Sequence, residues 1–159
     1  MKPDLRKIIH TQMRLNALHR YNIHKAISGT GVFMGQPRML ELLAEKESFT
    51  QKELSDRLNV SPASVAVSVK RLQKAGLLTK TADENDLRLN HISISEKGRE
   101  IGKNIRKECD KIDAQMFKGF TDEEILLYSS FIERLSENLS TENISDEALF
   151  CFPDKKEEE

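Results

Sequence analysis

Apolar residues recur every three or four positions through Leu5, Ile8, Ile9, Met13, Leu15, Leu18, Ile23 and Ile27, with no proline or glycine among them. That spacing predicts a long first helix from Pro3 to about Ile27. The next ten residues, Ser28 to Pro37, carry three glycines and a proline. They end the first helix and let a second start near Gln36, with Met39, Leu40, Leu42 and Leu43 as its apolar stripe. Thr50-Gln-Lys-Glu53 is a capping box, in which the threonine oxygen accepts from the amide three residues on and the glutamate reaches back. It opens a short third helix that carries Leu54 and Leu58 and runs out at Asn59, a residue that tolerates left-handed geometry. Ser61-Pro62 opens a fourth, with serine as N-cap and proline at the first helical position, where a missing amide costs nothing. Val65, Val69 and Leu72 form its inward stripe, and Gly76 ends it. Two helices joined by the short turn Asn59-Val60 have the spacing of a helix-turn-helix.

Beyond Gly76 the period shortens. Leu77 to Thr81 reads as a strand, Asp83 to Asp86 as a polar turn, and Leu89 to Ser95 as a second strand with Ile92 and Ile94 on one face. A hairpin directly behind a helix-turn-helix makes a wing. A long fifth helix begins at Ser95 and carries Ile101, Ile105, Cys109, Ile112 and Met116. A second capping box, Thr121-Asp-Glu-Glu124, opens a sixth with Ile125, Tyr128, Ile132, Leu135 and Leu139 on one stripe. The expected architecture is mainly α with a small β-wing: about six helices and two to three short strands. Residues 141–159 are expected to form an acidic, flexible tail, with the Phe150-Cys151-Phe152 cluster able to dock on the body.

Composition adds constraints. A chain of 159 residues suits one domain with a real core, since a domain of about 150 residues buries roughly 70% of its unfolded surface. No apolar run reaches the length of a signal peptide or a membrane span, which predicts a cytoplasmic protein without a membrane partner. The net charge of −1 hides an asymmetry along the chain. Residues 120–159 hold twelve acidic and three basic side chains, leaving 22 basic and 14 acidic ones before them. From Ser61 to Lys80 the charges are Lys70, Arg71, Lys74 and Lys80, with no carboxylate. Local charge is what a phosphate backbone feels, because salt screens beyond about 8 Å. Charge alone is equally compatible with a solvated helix face.

A major-groove reader needs a helix with one buried side and a small, polar or basic opposite side. The fourth helix has both. With Val65, Val69 and Leu72 inward, the opposite ridge is Ala63, Val67, Lys70 and Lys74, flanked by Ser64, Ser68 and Arg71. Ser61, Ala63, Ser64, Val67, Ser68, Lys70, Arg71 and Lys74 are therefore the candidate DNA contacts on this helix. In the wing, Arg88 follows the polar turn and can reach a minor groove. The alternative for Arg88 is a surface salt bridge with Asp86 or Glu84.

The run from Gly35 to Gly98 resembles the DNA-binding core of the MarR-type (multiple antibiotic resistance regulator) transcription factors. Its most specific part is the wing turn, where Asp83, Glu84, Asp86 and Arg88 precede a strand and a Ser-Glu-Lys-Gly helix start. The resemblance implies one domain over residues 1–140, with 30–95 as the winged helix-turn-helix core and 3–28 and 96–140 as dimerisation helices. It implies a homodimer on palindromic double-stranded DNA, Asp86 holding Arg88 in a salt bridge, and release by a small-molecule effector whose pocket residues stay unknown. Most such proteins repress. This chain departs from the pattern at Val67, where a polar or basic residue is common, and at Ser68, where a large apolar one is common.

The dimer also follows from the residues. The first, fifth and sixth helices carry long apolar stripes that a winged core of about 60 residues cannot cover, and exposed patches of that size are unusual in a monomer. A monomeric helical bundle with an attached wing is the alternative. Metal, redox and catalytic sites are not expected. The spacing of His10, His19, His24 and His91 does not support a metal site: His19 and His24 are five apart and diverge on a helix, and no Cys or acidic residue lies three or four positions on from either. Cys109 lies in an apolar stripe, and Cys151 has no basic neighbour before Lys155. No cofactor-binding or nucleophile motif occurs. The reading is a DNA-binding transcriptional regulator and not an enzyme, with a winged-helix protein-interaction module as the competing possibility.

Overall fold

Local chemistry at the helix ends sets the boundaries found in the computed structural model, which describes residues 2–82 and 90–140. Asp4 caps α1 (Leu5–Ile27) by accepting from the Lys7 amide at 3.1 Å. Helix α2 is Gln36–Glu45 and has proline in its first turn. The capping box at Thr50 is formed in both directions and starts α3 (Gln51–Leu58), which ends at Asn59 with φ 48°. Ser61 accepts from the Ser64 amide at 3.2 Å and starts α4 (Pro62–Lys74). Ser95 caps α5 (Glu96–Met116), and a second complete capping box at Thr121 starts α6 (Asp122–Leu139). Each such cap stabilises its helix by about 1 kcal/mol.

Three antiparallel strands form the wing and its base: β1 (Phe49–Thr50), β2 (Leu78–Ala82) and β3 (Asn90–Ile94), in the order β1-β3-β2. The register sets Phe49 and Lys80 on either side of Ile92, and Leu78 opposite Ile94. Ile92 and Ile94 turn inward while His91 and Ser93 stay half-buried, the alternation that a one-sided sheet requires. The turn expected at Asp83 to Asp86, with Arg88 behind it, lies outside the described residues, as does the acidic tail at 141–159.

One apolar core sits between α2, α3, α4 and the sheet, built from Leu40, Leu43, Leu54, Val65, Leu72, Leu77 and Ile92 among others. Burying each such side chain contributes about 1.5–3 kcal/mol. Helix α1 adds only Ile27 to it and α5 only Ile105 as fully buried apolar residues. Helix α5 packs along both α1 and α2. Arg106 ties α5 to α2 by reaching Glu41 at 3.4 Å and also pairs with Asp110, one turn on along α5, at 2.9 Å; these carboxylates, Asp110 foremost, raise its already high pKa.

The start of α5 is clamped to the end of α4. The Ser95 hydroxyl donates to the Gly76 carbonyl at 2.8 Å, the Lys97 ammonium to the Ala75 carbonyl at 2.9 Å, and the Ser95 amide to Leu77 at 3.0 Å. Gly98 makes this approach possible, because a Cβ placed there would fall 2.1 Å from the Leu77 carbonyl oxygen. Helix α6 has no buried residue, and only Ile125, Tyr128 and Ser130 along it are half-buried. Phe117 stands edge-on to Tyr128 and Phe120 at the α5–α6 turn. No helix among the described residues is long and apolar enough to cross a membrane.

Candidate nucleic-acid interface

Helix α4 owes its orientation to the opposition of its two sides. Val65, Val69 and Leu72 are sealed in the core, so the ridge half a turn away, Ala63, Val67, Lys70 and Lys74, must face outward, and all four are exposed. On the flank, Ser64 and Arg71 are exposed and Ser68 is half-buried. The Ser61 and Ser64 hydroxyls lie 3.0 Å apart, so the polar groups of the first turn are engaged in the cap. Lys70, Arg71 and Lys74 gather in the later turns, where they form a continuous cationic strip. Strand β2 follows this helix, and its Lys80, although on the sheet face of Leu78 and Ile92, is exposed. Asp86 and Arg88 belong to the segment outside the described residues.

Arg71 has a partner that the sequence pattern does not disclose. Its guanidinium carbon lies 5.2 Å from the centre of the Phe33 ring, in the loop between α1 and α2. That loop is fixed from beneath. Gln36, itself buried, accepts from the Phe33 amide at 2.9 Å through its side chain and donates its own amide to the Phe33 carbonyl at 3.0 Å. The loop passes so near the end of α4 that a Cβ on Gly31 would lie 3.2 Å from that of Ala75. Phe33 remains 55% exposed. An arginine stacked on an aromatic face keeps its donors free while losing side-chain freedom, an effect of about 0.5–1 kcal/mol at exposed sites.

The residues discounted for other chemistry have ordinary structural places. His19 pairs with Asp113 across α1 and α5 at 2.8 Å. Among the described residues no three His, Cys, Asp or Glu side chains gather in a way that could hold a metal ion. Cys109 is half-buried against the core, where burial first and the Asp113 carboxylate second push its thiol pKa up. A raised pKa keeps it protonated and slow to react.

A family model described as the MarR family matches residues 30–89. The transcriptional regulator ZitR of Lactococcus lactis is 30% identical over 105 residues, covering 64% of this chain and 72% of ZitR. The transcriptional regulator AdcR of Streptococcus pneumoniae is 36% identical over 83 residues, covering 52% of this chain and 56% of AdcR. The crystal structure of the YusO protein from Bacillus subtilis superposes with a TM-score of 0.69 at 22% identity, over 86% of this chain and 99% of YusO. The matched segment contains the whole of α2, α3, α4 and β2, and the superposition extends the same fold to the flanking helices. This chain therefore belongs to the MarR family, whose members are DNA-binding transcriptional regulators and not enzymes.

Proposed function

We propose that the chain acts as a homodimeric, effector-responsive repressor, with α4 in the major groove and the wing at the minor groove of a pseudo-palindromic operator. The observation that carries this reading is the exposed strip of Lys70, Arg71 and Lys74 on the outward side of α4, within a stretch from 61 to 80 free of carboxylates. In it Ser61, Ala63, Ser64, Val67 and Ser68 approach base edges and nearby phosphates, while Lys70, Arg71 and Lys74 hold the backbone. Arg88 enters the minor groove, steadied by Asp86.

Dimerisation is supported by the apolar residues that α1 and α6 leave in water, among them Leu5, Ile8, Met13, Leu127, Phe131 and Leu135. On this reading residues 30–95 form the DNA-binding core, 3–28 and 96–140 pair the two copies, and 1–140 make one domain. A two-fold dimer sets its recognition helices about 34 Å apart, one turn of B-form DNA. Effector response is supported by the clamp between α5 and α4. A ligand that shifts α5 moves Ser95 and Lys97, and with them the end of the reading helix.

Fluorescence anisotropy on DNA from the region upstream of the protein's own gene tests the reading. Binding should weaken about ten-fold or more between 50 and 200 mM salt, since several phosphate contacts release counterions. Binding that is absent, or indifferent to salt, would refute it, and co-purification with an acidic protein would then favour an interaction module.

A further inference from the structure

Val67 stands 50% exposed at the middle of the outward ridge of α4. A β-branched hydrocarbon in this place has no part in the core, because Val65, Val69 and Leu72 already supply the buried stripe. Its surroundings define what can cover it. Lys70, Arg71 and Lys74 follow on the same side and its flank, and no carboxylate occurs from 61 to 80. The matching surface must therefore present an apolar spot inside an anionic frame. In the major groove of DNA the 5-methyl group of thymine is such a spot, lying between two lines of phosphates.

The polar groups nearby leave little else to read with. The Ser61 and Ser64 hydroxyls are bound to each other, and Ser61 also accepts from the Ser64 amide. Ala63, Ala66 and Val67, exposed over the first half of the helix, offer only carbon-bound hydrogen. Discrimination by hydrogen bonds then falls to Ser68, which is half-buried, and to residues from Lys70 onward.

We propose that Val67 is a specificity-determining residue that packs on thymine 5-methyl groups in each operator half-site. The assignment rests on α4 being the helix that reads DNA. Such a contact selects thymine by its methyl group alone, where a bidentate arginine would select guanine.

The test uses the full-length protein and sites selected from a random duplex library. Each thymine of the selected half-site is replaced in turn by deoxyuridine, which deletes the methyl group and keeps the base pair. At one or two positions the wild-type protein should lose about four-fold in affinity, the effect of one buried methyl-sized group. Val67→Ala should bind the thymine site more weakly and be indifferent to deoxyuridine at those positions, with a melting temperature no lower than the wild type's, because the side chain lies outside the core and alanine favours the helix. Wild-type binding indifferent to every deoxyuridine, or the same sensitivity in Val67→Ala, would overturn the proposal while leaving DNA reading by α4 intact. Failure to select any site or bind any duplex would overturn both.

Discussion

Two residues show how much the fold depends on single atoms. Gly98 lets the first turn of α5 lie against the Leu77 carbonyl, and the 2.1 Å separation from a hypothetical Cβ is too short for any neighbour but a displaced backbone. Gly98→Ala should destabilise the protein by about 1–3 kcal/mol, the usual range for overpacking, measurable as a lower midpoint in urea. Glu53 makes the complementary case for charge. The Lys46 ammonium at 2.7 Å, then the Thr50 amide, hold its carboxyl down from 4.5 to about 2. A depressed pKa stabilises the native state fully above the unfolded value, and that stabilisation is lost as pH falls from about 5 towards 2. The side chain is still 44% exposed, so screening limits the effect to about 1 kcal/mol. Glu53→Gln keeps an acceptor for the cap and removes the charge. The gap in unfolding free energy between it and the wild type should be greatest at pH 6 and close by pH 2, and a gap independent of pH would assign the effect to the cap alone.

At the scale of elements, what the sequence disclosed depended on how far apart the interacting residues are. Thr50 with Glu53, Thr121 with Glu124, and Ser61 before Pro62 marked helix starts correctly because each cap is complete within four residues. The helical stripe of α4 was legible for the same reason, and with it the outward face that carries the candidate contacts. Strand β1 is two residues long and exists by pairing with β3 some forty positions later, so no local alternation announces it. The Phe33–Arg71 stack was invisible in the same way, since nothing in the glycine-rich loop points to a helix 38 residues on. Its consequence for the proposed interface can be tested. Phe33→Leu should weaken DNA binding about two- to five-fold, the equivalent of an exposed cation–π contact, with Phe33→Tyr restoring it. Affinities equal across all three proteins would mean that Arg71 needs no help to find its phosphate.

The whole molecule divides its apolar surface unevenly, and that division bears on assembly. The core belongs almost entirely to the segment between Ile27 and Ile105, so the winged unit can hold its shape with little from α6. Helix α6 instead exposes Leu126, Leu127, Phe131, Ile132, Leu135 and Leu139, while α1 exposes Leu5, Ile8, Ile9, Met13, Leu18 and Tyr21. Two helices with that much hydrocarbon in water, at opposite ends of one chain, are best satisfied by the same helices of a second copy, because a two-fold axis lets one patch cover itself. Leu135, 49% exposed, separates assembly from folding. A charge there is solvated in a single protomer and buried without a partner in the proposed dimer, where it costs several kcal/mol counted over both copies. Leu135→Glu should therefore shift the sedimentation coefficient from dimer to monomer while the helical circular dichroism signal persists. Affinity for a two-half-site operator should fall about a hundred-fold or more, because linked half-sites act at high effective concentration, whereas affinity for an isolated half-site should stay unchanged. Loss of both affinities would show that the helices shape the winged core instead of only pairing it. A monomeric wild type would remove the two-fold geometry on which the palindromic operator depends.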